Sequence, residues 1–428
     1  GVAANGQGLN PLLVNYWIAI HPPAMYTGLI ATTIVFAIAV GALIKGDTDR
    51  WVIDVRPWLI WAWLFLTVGN ILGGLWAYEE LGWGGFWDWD PVENAAILPW
   101  FACTALLHSV IVQEKRGLFK VWNVLLAGVT FALTVLATWI TRSGMIQSVH
   151  AFAMNTEVGA ALLTLVGLVI VTTVLLVGWR WPQLTRRERA LFDADDPTQV
   201  RSTRRVRGIE RLLSSESAFL LGNVALVLLT VFVASLTLWP LLSWRTIGER
   251  ANTYEMYFIA APAFLLMFLA MGLAMAVGWR KLSGRELDIR LQWPAAIGLA
   301  VALLTTVHQA IFTDLDLSEF LGIVQLGGDP GLAAKALVMP LIPPLGYGIA
   351  AFAAVTLFLE YHLPAWRAVK AKQGTSYLGA LSRLVKKDPR RYGGYVVHIG
   401  ALMLLVGVIA SMQYKEEVPI DNVPLGGA

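Results

Sequence analysis

The chain has 428 residues, 57% hydrophobic and only 14% charged, with 19 Trp and a formal net charge of +3. A soluble domain carries about a quarter charged residues. The apolar residues here fall in long blocks, of the roughly 20 residues that cross a hydrocarbon core of about 30 Å, which excludes a soluble globular enzyme. The single cysteine, Cys103, sits inside an apolar segment and excludes an intrachain disulfide or a CxxC redox site. Thiol chemistry would therefore use cysteines of another protein, and Cys103 itself reads as a small packing residue.

The chain opens Gly-Val-Ala-Ala, with neither an initiator Met nor a signal-peptide pattern, and reads as a segment that starts partway along a longer product. Apolar runs then predict ten spans, near 24–44, 57–78, 93–113, 121–141, 157–179, 217–239, 256–279, 293–312, 336–360 and 393–412. Helices satisfy every backbone polar group within such a segment. The expected fold is an all-α polytopic helix bundle integral to a membrane. Pro340, Pro343 and Pro344 predict a kink in the ninth span, and Gly393, Gly400 and Gly407 a close-packing face on the tenth.

Basic residues set the orientation. Of 32 Lys and Arg, the loops on one side hold all but Arg142, Arg245, Arg250, Lys335 and Lys415. The positive-inside rule makes the rich side cytoplasmic and both termini periplasmic. The stretches Arg180–Arg211 and Arg367–Arg391 then anchor the topology, in contact with anionic membrane lipid. Nothing else in the chain supports nucleic-acid binding.

Between the second and third spans the periplasmic segment runs Trp76-Ala-Tyr78-Glu79-Glu80-Leu-Gly-Trp83-Gly84-Gly85-Phe86-Trp87-Asp88-Trp89-Asp90-Pro91-Val92-Glu93-Asn94, without a Lys or Arg. An interfacial aromatic belt accounts for scattered tryptophans at helix ends. It does not require this density, which suits a platform for a flat, hydrophobic ligand. Gly84 and Gly85 let such a ligand approach the backbone. Asp90-Pro91 is expected to cap the helix that follows, and Asp88, Asp90 and Glu93 lack the His/Cys spacing of a tight metal site.

This run, with Pro99-Trp100, resembles the WWD signature of the haem-handling superfamily, and its continuation Asp-Pro-Val-Glu-Asn is similar to the CcmF branch, the haem lyase component of bacterial cytochrome c maturation. Asn10-Pro11, His21-Pro22-Pro23, Leu107-His108-Ser109, Glu114-Lys115-Arg116-Gly117, Arg142-Ser143-Gly144, Ser148-Val149-His150 and Gly393-Gly394-Tyr395-Val396-Val397-His398 resemble the same branch. Phe86 and Asp88 depart from it, standing where the family often has further aromatics. The resemblance implies four parts: a haem-handling core, 1–179, with the tryptophan segment at 76–100; a basic cytoplasmic loop, 180–216; a second helical bundle, 217–412, carrying His398; and a periplasmic tail, 413–428.

Histidine is the usual haem-iron ligand. Read alone, His21 is a polar helix start and His150 a loop residue, both on the tryptophan side. The resemblance implies that they are axial ligands of a delivered haem, on a platform of Trp83, Trp87, Trp89 and Asp90. His108 lies fifteen residues into a span that starts outside, about 22 Å down, and His398 five residues into one that starts inside. Two intramembrane histidines at matched depth are costly unless paired or ligated. Either they bond separately within the core, or they ligate one permanent b-type haem, and the resemblance favours the second. His308 and His362 are assigned no role and are expected at interfacial or packing positions.

The resemblance implies a multi-pass protein of the bacterial inner membrane that receives haem from the carrier CcmE. With the thiol-handling CcmH, it would attach that haem by thioether bonds to CxxCH cysteines of apocytochrome c. The buried haem b would relay electrons, with quinol as a candidate donor. The alternatives are a paralogous lyase for a specialised cytochrome, or a haem exporter or scaffold. A quinol–cytochrome b oxidoreductase needs four histidines at two depths, and one matched pair is evident.

Overall fold

The computed structural model describes residues 14–80, 85–146, 148, 155–193, 215–242, 253–277, 284–312, 336–371 and 376–413. Among them the chain is all helical. The helices are α1 (Trp17–Lys45), α2 (Trp51–Glu80), α3 (Pro91–Arg116), α4 (Lys120–Ser143), α5 (Thr156–Asp193), α6 (Ser215–Leu242), α7 (Thr253–Val277), α8 (Gly284–Phe312), α9 (Ile342–Lys370), α10 (Tyr377–Lys387) and α11 (Pro389–Gln413). Each of the ten predicted spans coincides with one of these. Nine of the described helices are long and apolar enough to cross a membrane, and Ala260–Ala276 of α7 is a shorter apolar one. In place of a mid-span kink, Pro340 falls in a 3₁₀ turn, Met339–Leu341, and Pro343 and Pro344 in the first turn of α9, where a missing N–H costs nothing.

The chain divides into two compact units, 1–295 and 296–428. Within the first unit α6 packs on α3 and α7 on α6. A run of cations marks a membrane face, and packing is free to continue past it.

In the first unit α1 lies against α2 at backbone distance. A methyl group on Gly28 would stand 2.5 Å from the Leu66 nitrogen, and one on Gly69 would stand 2.8 Å from the Met25 Cα. Lipid tails give helices no hydrophobic reason to associate, so close backbone approach supplies the contact. Left-handed glycines end α1, α3 and α4 at Gly46, Gly117 and Gly144. Arg180 donates to the carbonyls of Leu43 and Ile44 (2.7 and 2.9 Å), satisfying the C-terminal end of α1.

Buried polar side chains bond to one another. Ser109 bonds Asn123, Asn123 donates to Gln113 (2.7 Å), and Gln113 donates to the Thr48 carbonyl (3.0 Å). This network and the Lys120–Asp49 pair (2.6 Å) gather at the basic end of the first unit. The tryptophan segment, joining the C-terminus of α2 to the N-terminus of α3, lies at the other end. Cys103 is fully buried beside the Leu59 carbonyl, as a packing residue.

In the second unit α8 meets α9 at Gly298 and Gly348, where a methyl on either would fall within 2.8 Å of the other helix. The same unit holds α9, α10 and α11 in mutual contact. Gly393, Gly400 and Gly407 have open space where a methyl would stand. Among the described residues, nothing packs against these glycines of α11.

Candidate functional site

His21 sits in the first turn and a half of α1, with its Nδ1 2.9 Å from the Gly69 carbonyl of α2. A carbonyl oxygen only accepts, so Nδ1 carries the hydrogen and Nε2 the lone pair that a metal takes. The ring is 5.8 Å from that of Trp76. A methyl on Gly73 would come within 2.8 Å of His21 Cε1. Glycine at 73 is therefore what lets the imidazole lie against α2. Gly73→Leu is expected to displace the ring and weaken haem retention at this site about 10- to 100-fold, the usual cost of disturbing a ligand's support. Haem titration of the purified variant, followed by absorbance, checks this.

His21 opens onto a cavity of about 60 Å³, lined also by Asn70, Trp76, Phe86, Trp87 and Glu93. The volume admits an edge or a substituent of a macrocycle. Phe86 stacks on Tyr78 (4.7 Å, 17°) and Trp87 stands edge-on to Trp89 (6.3 Å, 81°).

Trp89 is largely buried, against Phe264 of α7 (6.2 Å). Its φ of +57°, rare for a bulky side chain, turns the chain between Trp87 and α3. Asp90 caps α3 as expected. Its carboxylate accepts from the Val92 N–H (3.1 Å), and Glu93 accepts from the N–H groups of Asp88 and Asp90 (2.9 and 3.2 Å). Ser148 also bonds the Asp90 carboxylate. That bond brings the chain two residues before His150 to the tryptophan segment. Trp83, Gly84 and His150 lie outside the described residues.

Glu79 and Glu80 are tied down at the same end. Trp17 Nε1 donates to Glu79 and Asn15 Nδ2 to Glu80, each at 2.6 Å.

Asn70 and Gly73 are site residues that sequence reasoning did not single out. Asn70 Oδ1 and Trp76 Nε1 are buried without a hydrogen-bond partner. The Asn70 amide nitrogen is already held by the Leu66 carbonyl (2.8 Å), which fixes Oδ1 as an acceptor. A lone Asn in an apolar span was the available signal.

Nearer the basic end, His108 of α3 repeats the His21 pattern, with Nδ1 2.8 Å from the Thr104 carbonyl. Its ring lies 5.9 Å from Phe219 of α6. One turn before it, Thr104 accepts from Trp63 Nε1 (2.9 Å). Trp63 stacks on Trp100 (6.3 Å, 28°), and Trp100 Nε1 donates to Thr67 (2.7 Å). This aromatic pair occupies the interval along α3 between the cavity and His108.

In the second unit, His398 Nδ1 stands 2.6 Å from the Gly394 carbonyl, and Gly394 has open space where a methyl would be. Three histidines thus share one arrangement, a ring oriented by a backbone carbonyl at Nδ1. That is the support a metal-ligating His ordinarily has. His362 differs. Its Nδ1 is 3.2 Å from the Tyr377 hydroxyl, and its ring stacks on Phe358 and Trp366 (5.1 and 5.9 Å), a packing position as expected. Among the described residues no cluster of three or more His, Cys, Asp or Glu could hold a metal ion. Single ring nitrogens on a haem plane are the donor set these histidines fit.

Residues 2–150 match the family model described as cytochrome C assembly protein. The chain is 34% identical over 433 residues to cytochrome c-type biogenesis protein CcmF of Pseudomonas aeruginosa, covering 99% of this chain and 57% of that one. It is 32% identical over 429 residues to CycK of Rhizobium meliloti, covering 99% and 56%. A solved structure, cytochrome c heme lyase CcmF, superposes with a TM-score of 0.61 at 27% identity, over 94% of this chain and 52% of that one. Over nearly its whole length the chain is similar to the CcmF proteins of cytochrome c-type biogenesis.

The residues matched by the family model include His21 and the whole tryptophan segment. The chain spans about half the length of these CcmF relatives. It is a multi-pass membrane protein of the cytochrome c biogenesis class.

Proposed function

We propose that this chain forms the haem-holding part of a cytochrome c haem lyase in the bacterial inner membrane, with the tryptophan segment facing the periplasm. One observation carries the reading: a carbonyl-oriented His21 opens onto a cavity walled by Trp76, Phe86 and Trp87. His21 and His150 hold the substrate haem between them, and Trp83 and Trp87 cover its plane. Trp89 and Asp90 shape the turn that presents that platform.

The haem arrives from a periplasmic carrier, CcmE, and CcmH delivers an apocytochrome c with its CxxCH cysteines reduced. Each thiol adds across a vinyl group. Sulfur bonds one vinyl carbon, the thiol hydrogen goes to the other, and no electrons are gained or lost. Positioning is the chain's main contribution, since holding reacting atoms in attack geometry is worth about 7–11 kcal/mol.

His108 and His398 would hold a resident haem b. When bound, it supplies electrons that keep iron ferrous at the outer site, with quinol as the donor class. Trp63 and Trp100 fill the apolar interval on the way.

A pyridine haemochrome measurement on the full-length protein purified from membranes tests the reading. It should report b-type haem retained by the purified protein. A haem-free preparation that still supports thioether formation would overturn it.

A further inference from the structure

We infer that α10 lies in the plane of the membrane surface and binds anionic phospholipid headgroups, anchoring the base of the helix that carries His398. The helix is one that no apolar-span reading would find, because it is eleven residues long and strongly basic. At 100° per residue, Tyr377, Leu378, Ala380, Leu381, Leu384 and Val385 fall on one half of it. Gly379, Ser382, Arg383, Lys386 and Lys387 fall on the other.

The apolar half is only partly covered. Ala380 is buried, and Tyr377 reaches His362 of α9 (3.2 Å), but Leu378 is 74% exposed and Val385 37%. An exposed leucine and valine beside a row of cations suit a bilayer interface, where apolar groups enter the acyl boundary and ammonium groups stay among phosphates.

The neighbouring chain fixes which surface this is. Helix α9 ends at Lys370 and α11 starts at Pro389, so both spans emerge on the side where α10 lies. From Tyr377 to Arg391 the segment carries Arg383, Lys386, Lys387, Arg390 and Arg391 against the one carboxylate of Asp388. That charge is complementary to anionic lipid and repels a basic partner.

The join to α11 is short. Asp388 ends α10, with its N–H on the Leu384 carbonyl (3.2 Å), and its carboxylate accepts from the Arg391 N–H (3.2 Å) at the start of α11. Glu360 of α9 is fully buried and bonds Arg391 and Tyr395 (2.9 Å to the latter). A force on α10 is therefore passed directly to the first turns of α11, about 14 Å below His398 at helical rise.

The test uses the full-length protein with Cys103 replaced by Ala and an environment-sensitive fluorophore on Leu378→Cys, in nanodiscs of phosphatidylcholine with a fixed fraction of phosphatidylglycerol. Acyl-brominated phosphatidylglycerol should quench the probe about five-fold more effectively per mole than acyl-brominated phosphatidylcholine. That is the ratio implied by about 1 kcal/mol for a single basic residue at an anionic surface. Arg383→Gln/Lys386→Gln/Lys387→Gln should bring the two lipids to equality. Equal quenching in the unsubstituted helix would overturn the inference. So would quenching by aqueous iodide and by neither lipid, which would mark the face as open to water or to a protein partner. The lipid comparison needs only the labelled protein with its three cations in place, so a triple substitution that fails to fold leaves the test intact. Loss of haem with lipid preference intact would count against the haem reading alone.

Discussion

Replacing His398 by Ala in the full-length protein is expected to abolish the low-spin b-type spectrum of the purified protein, and His108→Ala should do the same. Each ring has its Nδ1 committed to a backbone carbonyl, at 2.6 Å for His398 and 2.8 Å for His108. A haem iron would take the other nitrogen, Nε2, and a bis-histidine haem that loses either ligand loses the low-spin state. His362→Ala is the control. Its ring is held by Tyr377 and stacked between Phe358 and Trp366, so the spectrum should survive. Glu360→Ala should act differently again. It removes the buried carboxylate that bonds Tyr395 and Arg391, and because the Arg391 side chain is 42% exposed and can turn to water, the cost should be that of lost charged hydrogen bonds, about 1–3 kcal/mol of stability. Thermal unfolding in detergent would show this as a lowered midpoint.

The second large effect is expected at the other end. His21→Ala should reduce covalent haem attachment at least about 100-fold while leaving the low-spin haem in place, since disturbing a ligand's support alone costs about 10- to 100-fold. Trp87→Leu should lower retention of the delivered haem by removing a wall of the cavity. Quantitative haem staining of a co-expressed cytochrome, beside a visible spectrum of the membranes, separates the two haem populations. Loss of both signals together in His21→Ala would contradict the assignment of separate sites.

The spans were legible because their signal is local. Each is a block of apolar residues long enough to cross a bilayer, and each became a helix. Asp90-Pro91 announced its cap in the same local way. Helix α10 was not legible by that route, because its apolar residues alternate with cations and never form a block. Its hydrophobic half shows only when positions are wrapped at the helical period.

The candidate site was half legible. Residue type and depth singled out His108 and His398, and the family resemblance singled out His21. That Gly73 makes room for His21, or that Gly69 supplies its carbonyl, depends on the register of α1 against α2, which sequence spacing does not contain. Likewise Trp89 read as one tryptophan among several. Its burial against Phe264 comes from α7, far along the chain.

Intact-mass spectrometry of a CxxCH apocytochrome is the most direct measurement of the central claim. The apocytochrome would be co-expressed with the full-length protein and its partners in cells lacking their own haem lyase. The account predicts a cytochrome heavier by one haem per CxxCH motif, and an unmodified chain when His21 is replaced by Ala. Haem crossing the membrane while the apocytochrome keeps its free thiols would contradict it, and would make the chain a haem carrier.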